Sequence, residues 1–260
     1  MLSERVHFTI QNRSQVMSKP VRLVLFTSDT GCEVCPDMLE LVSIIKKSKF
    51  DKIALETYDL VMDRDKAGLY GVKLVPALVV QGGDGKVVKF YGMIDDVILD
   101  ILLSTISAVS HGRIWFPRDV ERALTHLTND VLIRVFVDSD CSQCRPVAET
   151  AIGLGLESKL VSTSIFVASD FPELVKRYHI TELPKTIFGE NLHLDGHVTE
   201  SVFLEMIFQA EGLKTGLDKK CLVCGVSSPD TICINCKAKI QAEAVDHKLK
   251  GEKLKQHESL

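Results

Sequence analysis

Apolar residues fall in short blocks along this chain, and the blocks come in a repeated order. VRLVLFTS (21–28) is apolar and rich in β-forming residues, which predicts a buried strand. In the run PDMLELVSIIKKSK that follows, Met38, Leu39, Val42 and Ile45 recur at helical spacing. Pro36 suits the first turn of that helix, where its missing N–H is not needed. A second strand, IALETYDLV, starts at Ile53, and a short helix covers 64–70. ALVVQ follows Pro76, then a GGDG turn over 82–85 and KVVKFYG, which together predict a hairpin. An apolar helix over 94–106 closes a β-α-β-α-β-β-α set.

The set then recurs. VLIRVFVDS (131–139) is a strand, RPVAETAIGLGL a helix, KLVSTSIFVA a strand, and PELVKRYH a helix ended by His179. PKTIFG and NLHLDG pair as a hairpin, and VTESVFLEMIFQA is the last helix. Landmarks match as well as order. Cys32 lies 44 residues before Pro76 and Cys141 lies 43 before Pro184, while Gly92 and Gly196 each end the last hairpin strand. Matched landmarks at a fixed offset argue for an internal repeat. The linker SHGRIWFPR (110–118) offers Pro117 to open a helix and Trp115 as a packing residue between the units. After about Leu213 the chain turns polar and charged. The predicted organisation is therefore one unit over 1–112, a second over 113–212, and a small segment with a charged, helical tail over 213–260.

Composition adds bounds. A chain of 260 residues with 45% hydrophobic and 25% charged residues can build two compact cores. A formal net charge of −4 gives no reason to expect nucleic acid as a partner, and the Lys-rich tail reads as a solvated face. The N-terminal stretch is broken by polar and charged residues, unlike a signal peptide, and the longest apolar run, from Val97, is too short for a bilayer. The expectation is a soluble, cytoplasmic protein with no membrane partner.

The candidate chemistry lies in the cysteines. All eight sort into four CxxC pairs: Cys32/Cys35, Cys141/Cys144, Cys221/Cys224 and Cys233/Cys236. In a reducing compartment such pairs are redox-active or metal-binding more often than structural. The first two pairs each stand between a strand and a helix. There the free N–H groups and the helix dipole stabilise a thiolate, the attacking species in disulfide exchange. Cys32 and Cys141 are read as nucleophiles, Cys35 and Cys144 as resolving thiols. Pro76 and Pro184 each follow an apolar residue, Val75 and Leu183, and open a strand. A cis bond there would present the preceding backbone to an extended substrate, so all four are candidate substrate-binding residues. A metal shared between the first two pairs does not suit two cysteine sets that open helices in separate repeats. Glu33, Asp138 and Asp140 are expected to oppose thiolate formation and Arg145 to favour it. The histidines are scattered along the chain and offer no paired base. Without a GxGxxG fingerprint, electrons are expected from a partner rather than from a bound nicotinamide or flavin.

On these residues, about 1–212 resembles the tandem protein disulfide oxidoreductases of archaea and thermophilic bacteria, also described as glutaredoxin-like. The resemblance implies an α/β fold of two tandem thioredoxin-like domains, each a central mixed sheet flanked by helices. It also implies an enzyme that exchanges disulfides with protein substrates and takes electrons from a thioredoxin-reductase-like donor. Neither pair follows a tryptophan, and the intervening dipeptides are Glu33-Val34 and Ser142-Gln143 rather than Pro-Tyr. The alternative is a sulfur-relay or partner-docking adaptor on the same scaffold, which needs only one nucleophile.

The last two pairs read differently, with no strand ahead of them and no proline partner. Cys221, Cys224, Cys233 and Cys236 form two knuckles able to give four thiolates to one structural Zn²⁺, with an iron–sulfur cluster or a third redox pair as alternatives. Gly225 allows the knuckle turn. The segment also resembles the C-terminal zinc knuckle of tRNA-thiolation enzymes of the adenine nucleotide alpha-hydrolase type, a hint towards sulfur-transfer partners. Too polar to hold a core of its own, it is expected to use the metal as a staple.

Overall fold

The computed structural model describes residues 4–13, 17–48, 52–112 and 116–215, with 223–224, 232 and 236–240 beyond them. The first half contains α1 (Glu4–Arg13), β1 (Val21–Thr27), α2 (Cys35–Lys47), β2 (Ile53–Asp59), α3 (Arg64–Tyr70), β3 (Ala77–Gly82), β4 (Val87–Tyr91) and α4 (Asp96–His111). The second contains α5 (Arg118–Leu124), β5 (Val131–Val137), α6 (Cys144–Glu157), β6 (Val161–Val167), α7 (Pro172–Arg177), β7 (Lys185–Phe188), β8 (Leu192–Asp195) and α8 (Glu200–Thr215). The β-α-β-α-β-β-α order is present twice.

Several boundaries differ from the sequence reading: β2 stops at Asp59, α7 at Arg177 rather than His179, and α8 runs from Glu200 to Thr215. The polar N-terminal stretch forms α1, because Val6 and Ile10, one turn apart, are both buried in the core. The helix expected over 94–106 starts at Asp96 and runs to His111. Ile94 is buried ahead of it, Asp95 takes extended backbone as its N-cap, and Gly112, with φ 73°, ends it in a left-handed turn. Pro117 stands at the N-cap of α5. Trp115 lies outside the described residues.

The strands form one mixed sheet in the order β2-β1-β3-β4-β6-β5-β7-β8. In each half the first two strands are parallel, the first strand of the hairpin pairs antiparallel with the first, and the second strand of the hairpin turns back antiparallel to that. Side chains alternate between faces. Leu23 and Leu25 join the larger core under α1, α2, α4, α5, α6 and α8, while Val24 and Phe26 join the smaller one under α3 and α7. Both faces are covered, so β1 reads as a continuous apolar run. Each such fully buried side chain contributes about 1.5–3 kcal/mol.

The two repeats meet through the sheet itself. β4 pairs parallel with β6, from Val88 with Thr163 to Tyr91 with Phe166. Edge strands carry unpaired N–H and C=O groups, and joining them removes two edges at once. Tyr91 stacks on Phe166 across this seam with ring centroids 4.4 Å apart and planes 4° off parallel. Burial there pushes the Tyr91 phenol up to about 12. At the seam Gly92 adopts φ 101°, and a Cβ on it would lie 2.7 Å from both Asp170 Oδ2 and Val167 Cβ.

The C-terminal segment is seated on the main core. Ile232 and Ile240 are buried within it, and Val223 and Cys236 pack against it. Lys237 pairs with Glu205 of α8 at 2.9 Å, and Lys239 with Asp119 of α5 at 3.5 Å. The sequence reading expected a segment unable to hold a core of its own without a metal staple; its apolar residues join the larger core of the sheet. Among the described residues, no helix is long and apolar enough to cross a membrane.

Candidate active site

Both CxxC motifs lie where a parallel strand hands over to a helix. β1 ends at Thr27, a loop carries Cys32, and Cys35 is the first residue of α2. β5 ends at Val137, and Cys144 is the first residue of α6. Pro36 occupies the first turn of α2. Cys32 is bonded to Cys35 and Cys141 to Cys144, with Cα atoms 5.5 and 5.3 Å apart. The two sulfurs of each pair are unequal. Cys35 and Cys144 are 4% and 0% exposed, whereas Cys32 and Cys141 are half-buried.

The prolines come to the same end of the sheet. Phe26 pairs with Ala77 and Phe136 with Lys185, so Pro76 and Pro184 open strands directly beside those that feed the CxxC loops. The Val75–Pro76 and Leu183–Pro184 bonds are both cis. Gly92 N–H donates to Pro76 O at 3.1 Å and Gly196 N–H to Pro184 O at 3.0 Å, the same bond in each repeat. Cys141 and Leu183 line one cleft of about 730 Å³ with Asp140, Ile180, Thr181 and Glu182.

Each loop is fixed by a carboxylate that sequence reasoning missed. In the first half Asp59, at the end of β2, accepts the Val61 and Met62 N–H groups at 2.8 Å each and the Asp29 N–H at 3.3 Å. These backbone bonds, Met62 first, hold its carboxyl below the ordinary range. The stability they bring is complete above the unfolded carboxylate value of about 4 and is lost as pH falls through the lower folded value. The Asp59→Asn variant should therefore melt below wild type at neutral pH and converge on it as pH drops below about 4. A gap that stays constant with pH in calorimetry would contradict this.

In the second half Asp138 Oδ1 accepts the Ser139 N–H at 2.8 Å, and Asp138 O accepts the Cys141 N–H at 3.2 Å. Ser139 Oγ donates to Asp95 Oδ1 of the first half. Arg145, expected to favour a Cys141 thiolate, pairs with Asp100 at 3.3 Å and Glu149 at 2.9 Å, so two carboxylates offset its charge. Glu33 and Asp140 are exposed. Of the four C-terminal cysteines, Cys224 is exposed and Cys236 half-buried, while Cys221 and Cys233 lie outside the described residues. No metal-binding group of three or more acidic, His or Cys residues occurs among the described residues.

A half-buried cysteine bonded to a buried one at a helix N-terminus, with a cis-proline strand alongside, defines a dithiol–disulfide oxidoreductase. No family model matches the chain. A probable thioredoxin of Methanothermobacter marburgensis is 43% identical to it over 72 residues, 28% of this chain and 79% of that protein. A probable thioredoxin of Methanothermobacter thermautotrophicus matches to the same extent. The chain belongs to the thioredoxin family. Among solved structures, a protein disulfide oxidoreductase from Aeropyrum pernix shares the fold with TM-score 0.73 and 23% identity, over 81% of this chain and 94% of that one. The N-terminal domain of alkylhydroperoxide reductase AhpF from Enterococcus faecalis does so with TM-score 0.70 and 20% identity, over 80% and 100%.

Proposed function

We propose that this oxidoreductase exchanges disulfides with protein substrates through both CxxC sites. Cys32 and Cys141 attack; Cys35 and Cys144 resolve the mixed disulfide. The observation that carries this reading is the unequal burial of each bonded pair. The half-buried sulfur meets substrate, and the buried one waits behind it. Val75 and Leu183, ahead of the two cis-prolines, would receive an extended substrate backbone. Two complete pairs favour exchange over a sulfur relay, for which a resolving cysteine is superfluous.

Polypeptide substrates suit the first site in particular. Among the described residues, the exposed large apolar side chains are Phe8, Leu39, Val61, Met62, Leu69 and Leu74, all in the first half. Met62 is 84% and Leu69 74% exposed. Leu74 stands two residues before Pro76, and Asp59 ties the Val61–Met62 turn to the loop ahead of Cys32. Electrons would come from a thioredoxin-reductase-like partner, in the cytoplasm, where paired cysteines stay available for exchange.

The division into units over 1–112, 113–212 and 213–260 belongs to the same proposal. Cys221, Cys224, Cys233 and Cys236 supply the donor set of a closed tetrahedral zinc site, whose metal would brace the segment without taking part in catalysis. Native mass spectrometry tests both parts. The oxidised chain should carry two disulfides and one zinc, and dithiothreitol should remove the disulfides and leave the metal. Disulfides within 221–236, or reduction that releases the metal, would overturn the assignment.

A further inference from the structure

The two CxxC loops do not draw their support from equivalent places. Asp59 serves the first from its own half. The side chain that reaches the second loop is Asp95, which belongs to the first half and sits at the N-cap of α4. An aspartate there ordinarily turns its carboxylate back onto the first free N–H groups of its own helix. Asp95 makes no such side-chain bond. Its backbone O accepts from Ile98 and Leu99, while its half-buried side chain takes the Ser139 Oγ proton donor across the seam. Ser139 is two residues ahead of Cys141, inside the turn that Asp138 closes.

The segment that carries Asp95 is pinned on both sides. Gly92 N–H bonds Pro76 O of the first site. Met93 N–H donates to Asp170 Oδ2 of the second half at 2.6 Å. Arg145, in the first turn of α6 just after Cys144, is held by Asp100 on the first turns of the same α4. In the second repeat the position of Asp95, three residues after the hairpin glycine, is Thr199. Its hydroxyl bonds Ser201 on its own helix, so the second half returns no equivalent bond to the first.

We propose that Asp95 is a positioning residue for the second CxxC: the first half completes the Cys141 site by fixing its loop through Ser139. This rests on the proposal that Cys141 exchanges disulfides, but the positioning itself can be read without turnover. In the full-length chain, Asp95→Ala should speed amide exchange of 138–143 about tenfold, the effect of losing one charge-assisted hydrogen bond. Exchange of 28–33 beside Cys32 should stay within about twofold, since an effect transmitted as general destabilisation would reach both loops. Asp95→Asn keeps an acceptor oxygen and should retain most of the protection. In a chain with Cys32 and Cys35 replaced by serine, Asp95→Ala should cut insulin reduction severalfold; with Cys141 and Cys144 replaced instead, it should not. Equal exchange changes in both loops, or unchanged exchange of 138–143, would overturn the proposal. If the exchange pattern holds but the chain lacking Cys32 and Cys35 reduces no insulin even with Asp95 intact, the positioning stands and the redox role of the second site falls.

Discussion

A substrate disulfide should remain covalently attached to the Cys35→Ala variant. In the proposed exchange Cys32 would attack one sulfur of the substrate, form a mixed disulfide and expel the other sulfur as a thiolate. The Cys35 thiolate would then attack Cys32 Sγ, closing the ring seen in the structure and freeing the second substrate sulfur. With Cys35 gone, the second step has no internal nucleophile and the adduct accumulates. Cys144→Ala should do the same at Cys141. Non-reducing electrophoresis with peptide mapping reads the result, and serine at the nucleophile as well should abolish it. Adducts at Cys35 or Cys144 when Cys32 or Cys141 is replaced would reverse the roles. The burial asymmetry argues against that outcome, because Cys144 is 0% exposed.

Replacing Gly92 by alanine should lower thermal stability far more than the same change at Gly196. Both glycines end the last hairpin strand of a repeat with positive φ, 101° and 69°, which strains any residue with a Cβ. At Gly196 nothing lies within 4 Å of the added atom, and only backbone strain of about 1 kcal/mol is expected. At Gly92 the atom would meet Val167 Cβ and Asp170 Oδ2 at 2.7 Å, across the seam. Overpacking adds to the strain there, for a total of about 3 kcal/mol. At about 2–4 °C per kcal/mol, calorimetry should show a midpoint lower by about 6–12 °C for Gly92→Ala and by about 2–4 °C for Gly196→Ala. Equal drops would mean that the seam does not press on Gly92.

That contrast also shows where the sequence stopped being informative. The repeat, the two bonded CxxC pairs and the two prolines were legible because each is a local pattern: an apolar run, a CxxC, a proline opening a strand. The β4–β6 seam was not, since both strands read simply as buried and nothing local says which edge meets which. Asp95 and Asp59 were missed for the same reason. Each looks like an ordinary polar residue at the end of an element, and its partner lies 44 residues ahead in one case and 30 behind in the other. α1 was hidden because only Val6 and Ile10 among its described side chains are buried. The docking of Ile232 and Ile240 was masked because the segment as a whole is too polar to hold a core of its own, and nothing local shows that it can borrow another.

The proposed exchange depends above all on Cys32 and Cys141 being its nucleophiles. Insulin reduction driven by dithiothreitol tests it most directly, with wild type, Cys32→Ser, Cys141→Ser and the double variant measured side by side. The assignment of both nucleophiles requires turnover well above the dithiothreitol background for wild type, partial activity for each single variant, and background for the double. Wild type at background, or a double variant that still reduces insulin, would contradict it.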